Sequence, residues 1–118
     1  GLISSTYAND SNKNVRIYDE FYQIQKSKNG LYELSRPCFT QRNCDAAKAI
    51  REVQNWKNKK FNTRGGKQLG ALLCMELEGK TVECRRKKSK RLFCYFKDKS
   101  VTPVSSLTNV WLYKKGTK

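Results

Sequence analysis

The 118 residues contain no histidine. That absence removes the commonest general acid and base, the Ser-His and Cys-His pairs that activate nucleophiles, and ribonuclease chemistry through paired histidines. No apolar run approaches the about eighteen residues that a membrane-spanning helix needs. There is no C-x-x-C pair, and Cys38-x5-Cys44, Cys74-x9-Cys84 and Cys84-x9-Cys94 are loose spacings for a closed tetrahedral zinc site. No metal or other cofactor is therefore expected. The chain also lacks an internal repeat and any helix-turn-helix, zinc-finger or RNA-recognition signature. Acidic residues are scarce: 10 Asp and Glu stand against 25 Lys and Arg, for a formal net charge of +15.

Two enzymatic readings survive these absences and both are weak. Glu78-x-Lys80 with a distant acid such as Asp45 formally matches a metal-dependent nuclease, but such a tripeptide arises by chance in a Lys- and Glu-rich chain. Cys84 beside Arg85 and Arg86 has the cationic setting that lowers a thiol pKa, yet a bridged or buried cysteine is the plainer reading. The chain is read as non-catalytic.

What is present suits one small domain. A hydrophobic content of 37% can build a single modest core. Residues 1–14 are polar and read as a flexible lead-in, leaving 15–118 as one basic α+β domain: two helices packed on an antiparallel sheet and stapled by disulfides. Asn29-Gly30 between apolar segments predicts a hairpin with strands near 20–26 and 30–35, although Ile17, Phe21 and Ile24 also recur at helical spacing. Ala46, Ala49, Ile50, Val53 and Trp56 predict a helix near 44–58, with Asn43 as N-cap and Trp56 as a core anchor. A second helix is expected in "KQLGALLCMELEG", with Leu69, Leu72, Leu73 and Leu77 as its apolar stripe and Gly79 as its left-handed end. "KTVEC", "RLFCYFK" and "NVWLYKK" read as strands, with a turn over Lys87 to Lys90.

Five cysteines in a short basic chain point to an oxidising compartment, periplasmic or secreted. They allow fifteen choices of two bridges. The short loop ahead of a helix N-terminus favours Cys38 with Cys44. The series "LLCMELEGKTVEC", "LFCYFKDKS" and "SSL" over residues 69–107 resembles small exported bacterial cysteine-pair domains described as haemolysin-like or of unknown function. In that pattern a double glycine stands where this chain has Glu78-Gly79, and an Asp-Gly-Ser where it has Asp98-Lys99-Ser100. The resemblance implies a Cys74–Cys94 bridge, an envelope or secreted location and no established activity. Cys84 is left free or able to join a second chain as a dimer.

The surplus charge is clustered. Arg85, Arg86, Lys87, Lys88, Lys90 and Arg91 fill a predicted hairpin tip; Lys57, Lys59, Lys60, Arg64 and Lys67 form a second group; Lys114, Lys115 and Lys118 a third. Gly65-Gly66 before Lys67 reads as a plain turn rather than an anion cradle. Three clusters predict a surface for an anionic polymer, whether envelope glycan, lipopolysaccharide or nucleic acid; Phe93, Tyr95 and Phe96 could stack on such a ligand, although aromatics in this setting more often belong to a sheet core. The competing classes are a membrane-active cationic protein, haemolysin-like or antimicrobial, and an adaptor or inhibitor with a protein partner.

Overall fold

Apolar and polar residues alternate from the first residue that the computed structural model of the chain describes; the described residues are 14–41, 43–56, 59–61, 68–86 and 89–114. Strand β1 (Asn14–Ile17) buries Val15 and Ile17 and exposes Asn14 and Arg16. A two-residue turn, Tyr18-Asp19, returns the chain as β2 (Glu20–Lys26), with Val15 opposite Tyr22. The hairpin to β3 (Glu33–Ser35) turns at Asn29-Gly30. There the Asn29 side-chain oxygen accepts from the Ser27 hydroxyl at 2.7 Å and the Leu31 amide at 3.0 Å, while Gly30 takes φ +74° without a side-chain penalty. Both expected strands are present, and β1 adds a third that residue pattern alone does not separate. Asn14 belongs to β1, and the rest of the expected lead-in lies outside the described residues.

A 3-10 turn over Arg36–Phe39, opened by Pro37, carries Cys38 to its disulfide partner Cys44. Helix α1 (Asp45–Gln54) follows and buries Ala46, Ala49, Ile50 and Val53 on one face. It stops four residues before the expected end, and Trp56 folds back into the core beside Phe61. The cap position belongs to Cys44, not Asn43, because the bridge to Cys38 fixes the chain there. The first helical amides find distant acceptors. Asp45 N–H donates to the Asp98 carboxylate at 2.8 Å, and Ala46 N–H to the Ser100 hydroxyl at 2.9 Å.

Helix α2 (Leu69–Glu76) buries Gly70, Leu73 and Cys74, whereas Leu69, Leu72 and Leu77 of the expected stripe are half-buried. An almost wholly apolar helix has little moment to announce its buried face, so its neighbours choose it. The left-handed residue after α2 is Glu78, φ 65°, and the Gly79 amide closes back on the Cys74 carbonyl at 2.9 Å. Gly79 is needed for space instead. A Cβ there would run into the sulfur of Cys94 and stand 3.1 Å from that of Cys74, the two halves of the second disulfide.

Strands β4 (Lys80–Arg86), β5 (Ser89–Tyr95) and β6 (Val101–Pro103) form a second antiparallel sheet in that order. Helix α3 (Val104–Lys114) ends the described chain and overturns the strand expected in "NVWLYKK". Val110, Trp111 and Tyr113 are strand formers by propensity, but Val104, Leu107 and Val110 bury together only on a helix. Close approach makes that burial available: a Cβ on Gly70 of α2 would stand 2.7 Å from the Val104 carbonyl oxygen.

Among the described residues the architecture is thus α+β with three α-helices and two three-stranded sheets, rather than two helices on one sheet. Cys84, Phe93 and Val101 face Val15, Ile17 and Ile24 of the first sheet, while Cys94 joins Leu73, Cys74 and Leu107 on the helical side. Buried hydroxyls seam the sheets: Ser35 accepts from the Val101 amide (3.1 Å), Thr102 donates to the Glu33 carbonyl (2.7 Å), and Ser106 accepts from the Glu33 amide (2.8 Å).

The loop that caps α1 sets a pH dependence. Burial works against a charge on Asp98, but hydrogen bonds from the Ser100 hydroxyl and from the amides of Asp45, Ser100 and Asp98 itself hold its carboxyl below the usual range. A folded pKa below the unfolded value of about 3.9 means that ionised Asp98 stabilises the fold above that pH and that the contribution is lost as pH falls through the folded value. Urea unfolding should show Asp98→Ala less stable by about 1–2 kcal/mol near neutral pH. Asp98→Asn should lose part of the parent's decline on acidification, and an unchanged acid limb would discount this cap.

Candidate functional site

The basic run is carried by the β4–β5 hairpin, whose register pairs Cys84 with Arg91, Arg85 with Lys90 and Arg86 with Ser89. The hairpin's root is held from both sides, since Phe93 and Cys94 are each fully buried on opposite faces of β5. Ser89 and Lys90, expected in the turn, belong to β5. Arg85 and Arg86 lie on β4; Lys87 and Lys88 lie outside the described residues.

Strand alternation divides the next two cations. Lys90 reaches Glu83 on the neighbouring strand at 3.3 Å, and Arg91 reaches Glu33 of β3 at 2.8 Å with its guanidinium 5.2 Å from the Phe93 ring centre. Exposed pairs of this kind contribute little stability, but each offsets part of the local positive charge. Glu83, Lys90, Arg91 and Leu92, with Gln68 and Ser105, line a surface groove of about 530 Å³.

In the second cluster Lys59 pairs with Glu76 of α2 at 2.7 Å and sits 5.1 Å from the Trp56 ring centre, while Lys60 is exposed. Lys57, Arg64 and Lys67, with the Gly65-Gly66 turn, lie outside the described residues, as do Lys115 and Lys118 of the third cluster. Lys114 ends α3. Among the described members, Lys59, Lys90 and Arg91 are tied to three separate carboxylates on three different elements.

Of the three aromatics weighed between stacking and core, two take the core reading. Phe93 and Phe96 are core residues, 0% and 5% exposed, because the strand that leads through them is covered on both faces. Tyr95 is half-buried and meets two other tyrosines edge-on, Tyr18 at 5.1 Å and Tyr22 at 6.2 Å between ring centres. Burial, then the hydrogen bonds to Tyr95 and Glu20, push the Tyr22 phenol well above its usual range. Tyr18 is 60% exposed and is the aromatic that sequence reasoning misses. Its signal is an aromatic residue beside Asp19 within an alternating segment, which the helical alternative for residues 15–24 obscures.

The cysteines are disposed as Cys38–Cys44 and Cys74–Cys94, with Cys84 a free thiol. Cys84 lies between the sheets, 8% exposed, and its sulfur donates to the Arg16 carbonyl at 3.4 Å. Burial pushes its pKa up, with the Arg91 charge opposing. A reactive thiolate is disfavoured there despite the Arg neighbours, and the sulfur lies under β1. No group of His, Cys, Asp and Glu able to hold a metal occurs among the described residues, and none of their helices is long and apolar enough to cross a membrane.

No family model, curated protein or solved structure matches this chain. Its function must therefore be read from its own residues.

Thiol titration checks the cysteine arrangement directly. Without reductant, one thiol per chain should react with a disulfide reagent in denaturant and almost none under native conditions. Rapid native reaction would show that β1 does not cover Cys84.

Proposed function

We propose that this chain is a non-catalytic, exported binding module, periplasmic or secreted, that recognises an anionic polymer through the basic β4–β5 hairpin. The observation that carries the reading is the hairpin itself: Arg85, Arg86, Lys90 and Arg91 lie on two seven-residue strands whose root is buried on both faces, and in the sequence they belong to a run of six cations in seven positions. Composition adds to it. With 25 Lys and Arg against 10 Asp and Glu, at least 15 cations have no acidic side chain of the chain left for one-to-one pairing. Such a surplus repels itself until counter-ions or a polyanion screen it. Two disulfides agree with an oxidising compartment.

A membrane-active protein would need a long amphipathic surface to insert, whereas α1 and α3 commit their apolar faces to the core. Lipid contact is then electrostatic, and leakage of anionic vesicles is not expected at high salt.

Replacing Lys87, Lys88 and Lys90 by Gln tests the hairpin. Binding to heparin, duplex DNA and lipopolysaccharide should weaken, and the log–log salt slope should fall by about one unit for each phosphate-like interaction that the substitution removes. Stability should change by no more than about 0.5 kcal/mol, since Lys90 is exposed and its bond to Glu83 is a surface pair. Equal affinity and equal slope in parent and variant would remove the hairpin from the binding surface.

A further inference from the structure

Away from the hairpin tip, the turn between β1 and β2 places an aromatic residue where the backbone disfavours one. Tyr18 has φ 58°, in the left-handed region that turns normally fill with Gly or Asn, and its ring remains 60% exposed. A non-glycine residue held there marks a strained position, and such positions concentrate at binding sites. The ring is braced rather than loose. It meets Tyr95 edge-on at 5.1 Å; Tyr95 meets Tyr22, and the Tyr22 hydroxyl donates to Glu20 at 3.0 Å. Lys99 completes the series by pairing with Glu20 at 3.3 Å.

Tyr18 and Tyr95 form one side of a surface groove of about 570 Å³, completed by Glu78, Lys80, Phe96 and Lys97. Glu78, Phe96 and Lys97 also line a neighbouring depression of about 290 Å³ beside α1, where Asp45 and Glu52 stand with Lys48, so an anionic ligand is placed in the Tyr18 groove itself, in which Lys80 and Lys97 outnumber Glu78. The charges in the groove differ from those of the basic hairpin. Lys90 and Arg91 hold carboxylates, but Lys80 and Lys97 form no ion pair among the described residues, and both are exposed. Glu78 is likewise exposed and has no ion-pair partner among them, fixed in the groove by the turn that ends α2.

We propose that this groove binds an acidic oligosaccharide, a chain of pyranose rings bearing carboxylates. The exposed Tyr18 ring offers an apolar surface to the C–H face of a sugar and a phenol to its hydroxyls. Lys80 and Lys97 meet the sugar carboxylates, and Glu78 accepts from sugar hydroxyls. The same Glu78 counts against a polyphosphate strand, which brings no hydroxyl donor for a carboxylate. None of the residues lining the groove belongs to the hairpin's run of cations, so the two surfaces can be tested apart.

Calorimetric titration of the full chain with hexagalacturonate provides the test, with neutral cellohexaose and inorganic polyphosphate as comparison ligands. Tyr18→Gly removes the ring while suiting the positive φ, so its fold should be retained; circular dichroism and thermal unfolding check this. It should weaken hexagalacturonate binding about tenfold. The Lys80→Gln/Lys97→Gln variant should weaken it similarly and flatten its salt dependence, while the hairpin triple Gln variant should keep most of it. The proposal is overturned if Tyr18→Gly binds as tightly as the parent, if cellohexaose binds as well as hexagalacturonate, or if polyphosphate binds more tightly and is released by the same variants. Weakening through the hairpin variant alone would sink the groove and leave the hairpin reading intact. Weakening through the groove variants alone, with heparin, DNA and lipopolysaccharide bound unchanged by the hairpin variant, would do the reverse.

Discussion

The double-sided burial of β5 is the constraint on which the other elements depend. Phe93 and Cys94 are consecutive residues, both fully buried, and strand geometry sends them to opposite faces. One face therefore requires the first sheet, with Val15, Ile17 and Ile24, and the other requires α2 and α3. Neither cover is held by packing alone. The helical side is bonded covalently through Cys74–Cys94, and a loop of that size adds on the order of 3 kcal/mol by restricting the unfolded chain. The sheet side is fastened by Ser35, Thr102 and Ser106, whose hydroxyls satisfy backbone groups where β3 passes β6 and the start of α3. Burying those amides and carbonyls unpaired would be costly, which makes the seam specific as well as stabilising.

A hairpin anchored in this way can carry charge that a looser one could not. Like charges close together destabilise the local fold, and repulsion among Arg85, Arg86, Lys90 and Arg91 is opposed at the root of their strands, which the core fixes. The few acids of the chain are placed with economy. Glu33, Glu76 and Glu83 each answer one cation of a cluster, Glu20 answers Lys99, and Asp98 serves a helix N-terminus instead of a lysine. What is left over is positive, and the hairpin and the Tyr18 groove present it with different chemistry. The hairpin offers a run of charge with little shape, whereas the groove offers two ammonium groups, one carboxylate and an aromatic wall. A run of charge suits a polymer recognised by its density of anions; a mixed concave surface suits a ligand recognised ring by ring.

Local signals are legible where chemistry and geometry are local. Asn29-Gly30 announces a turn because its side chain and positive φ act within four residues, and α1 announces itself because its buried residues recur at helical spacing. The Cys38–Cys44 bridge closes a short loop. Cys74–Cys94 is implied by a resemblance and not by spacing. The errors fall where a distant neighbour decides. Asn43 has the chemistry of a cap, but the acceptors that complete α1 lie on Asp98 and Ser100. "NVWLYKK" has strand-forming residues, yet it is helical because Gly70 leaves room for α3 to pack on α2. Phe93 and Phe96 do take the core reading that the sequence favours, but the layers that cover them come from segments far away in the chain.

By itself the sequence determined the sign and size of the charge, the absence of histidine chemistry, the presence of enough cysteine for two bridges and the approximate positions of two helices and two hairpins. These properties belong to composition or to residues a few positions apart. Only the tertiary structure decided which aromatics are buried, which cations meet carboxylates, and that Tyr18, Lys80 and Lys97 share a groove. Those relations join the Tyr18-Asp19 turn to strands more than sixty positions later. Proximity of that kind is set by how the two sheets and three helices cover β5, and no local pattern encodes it.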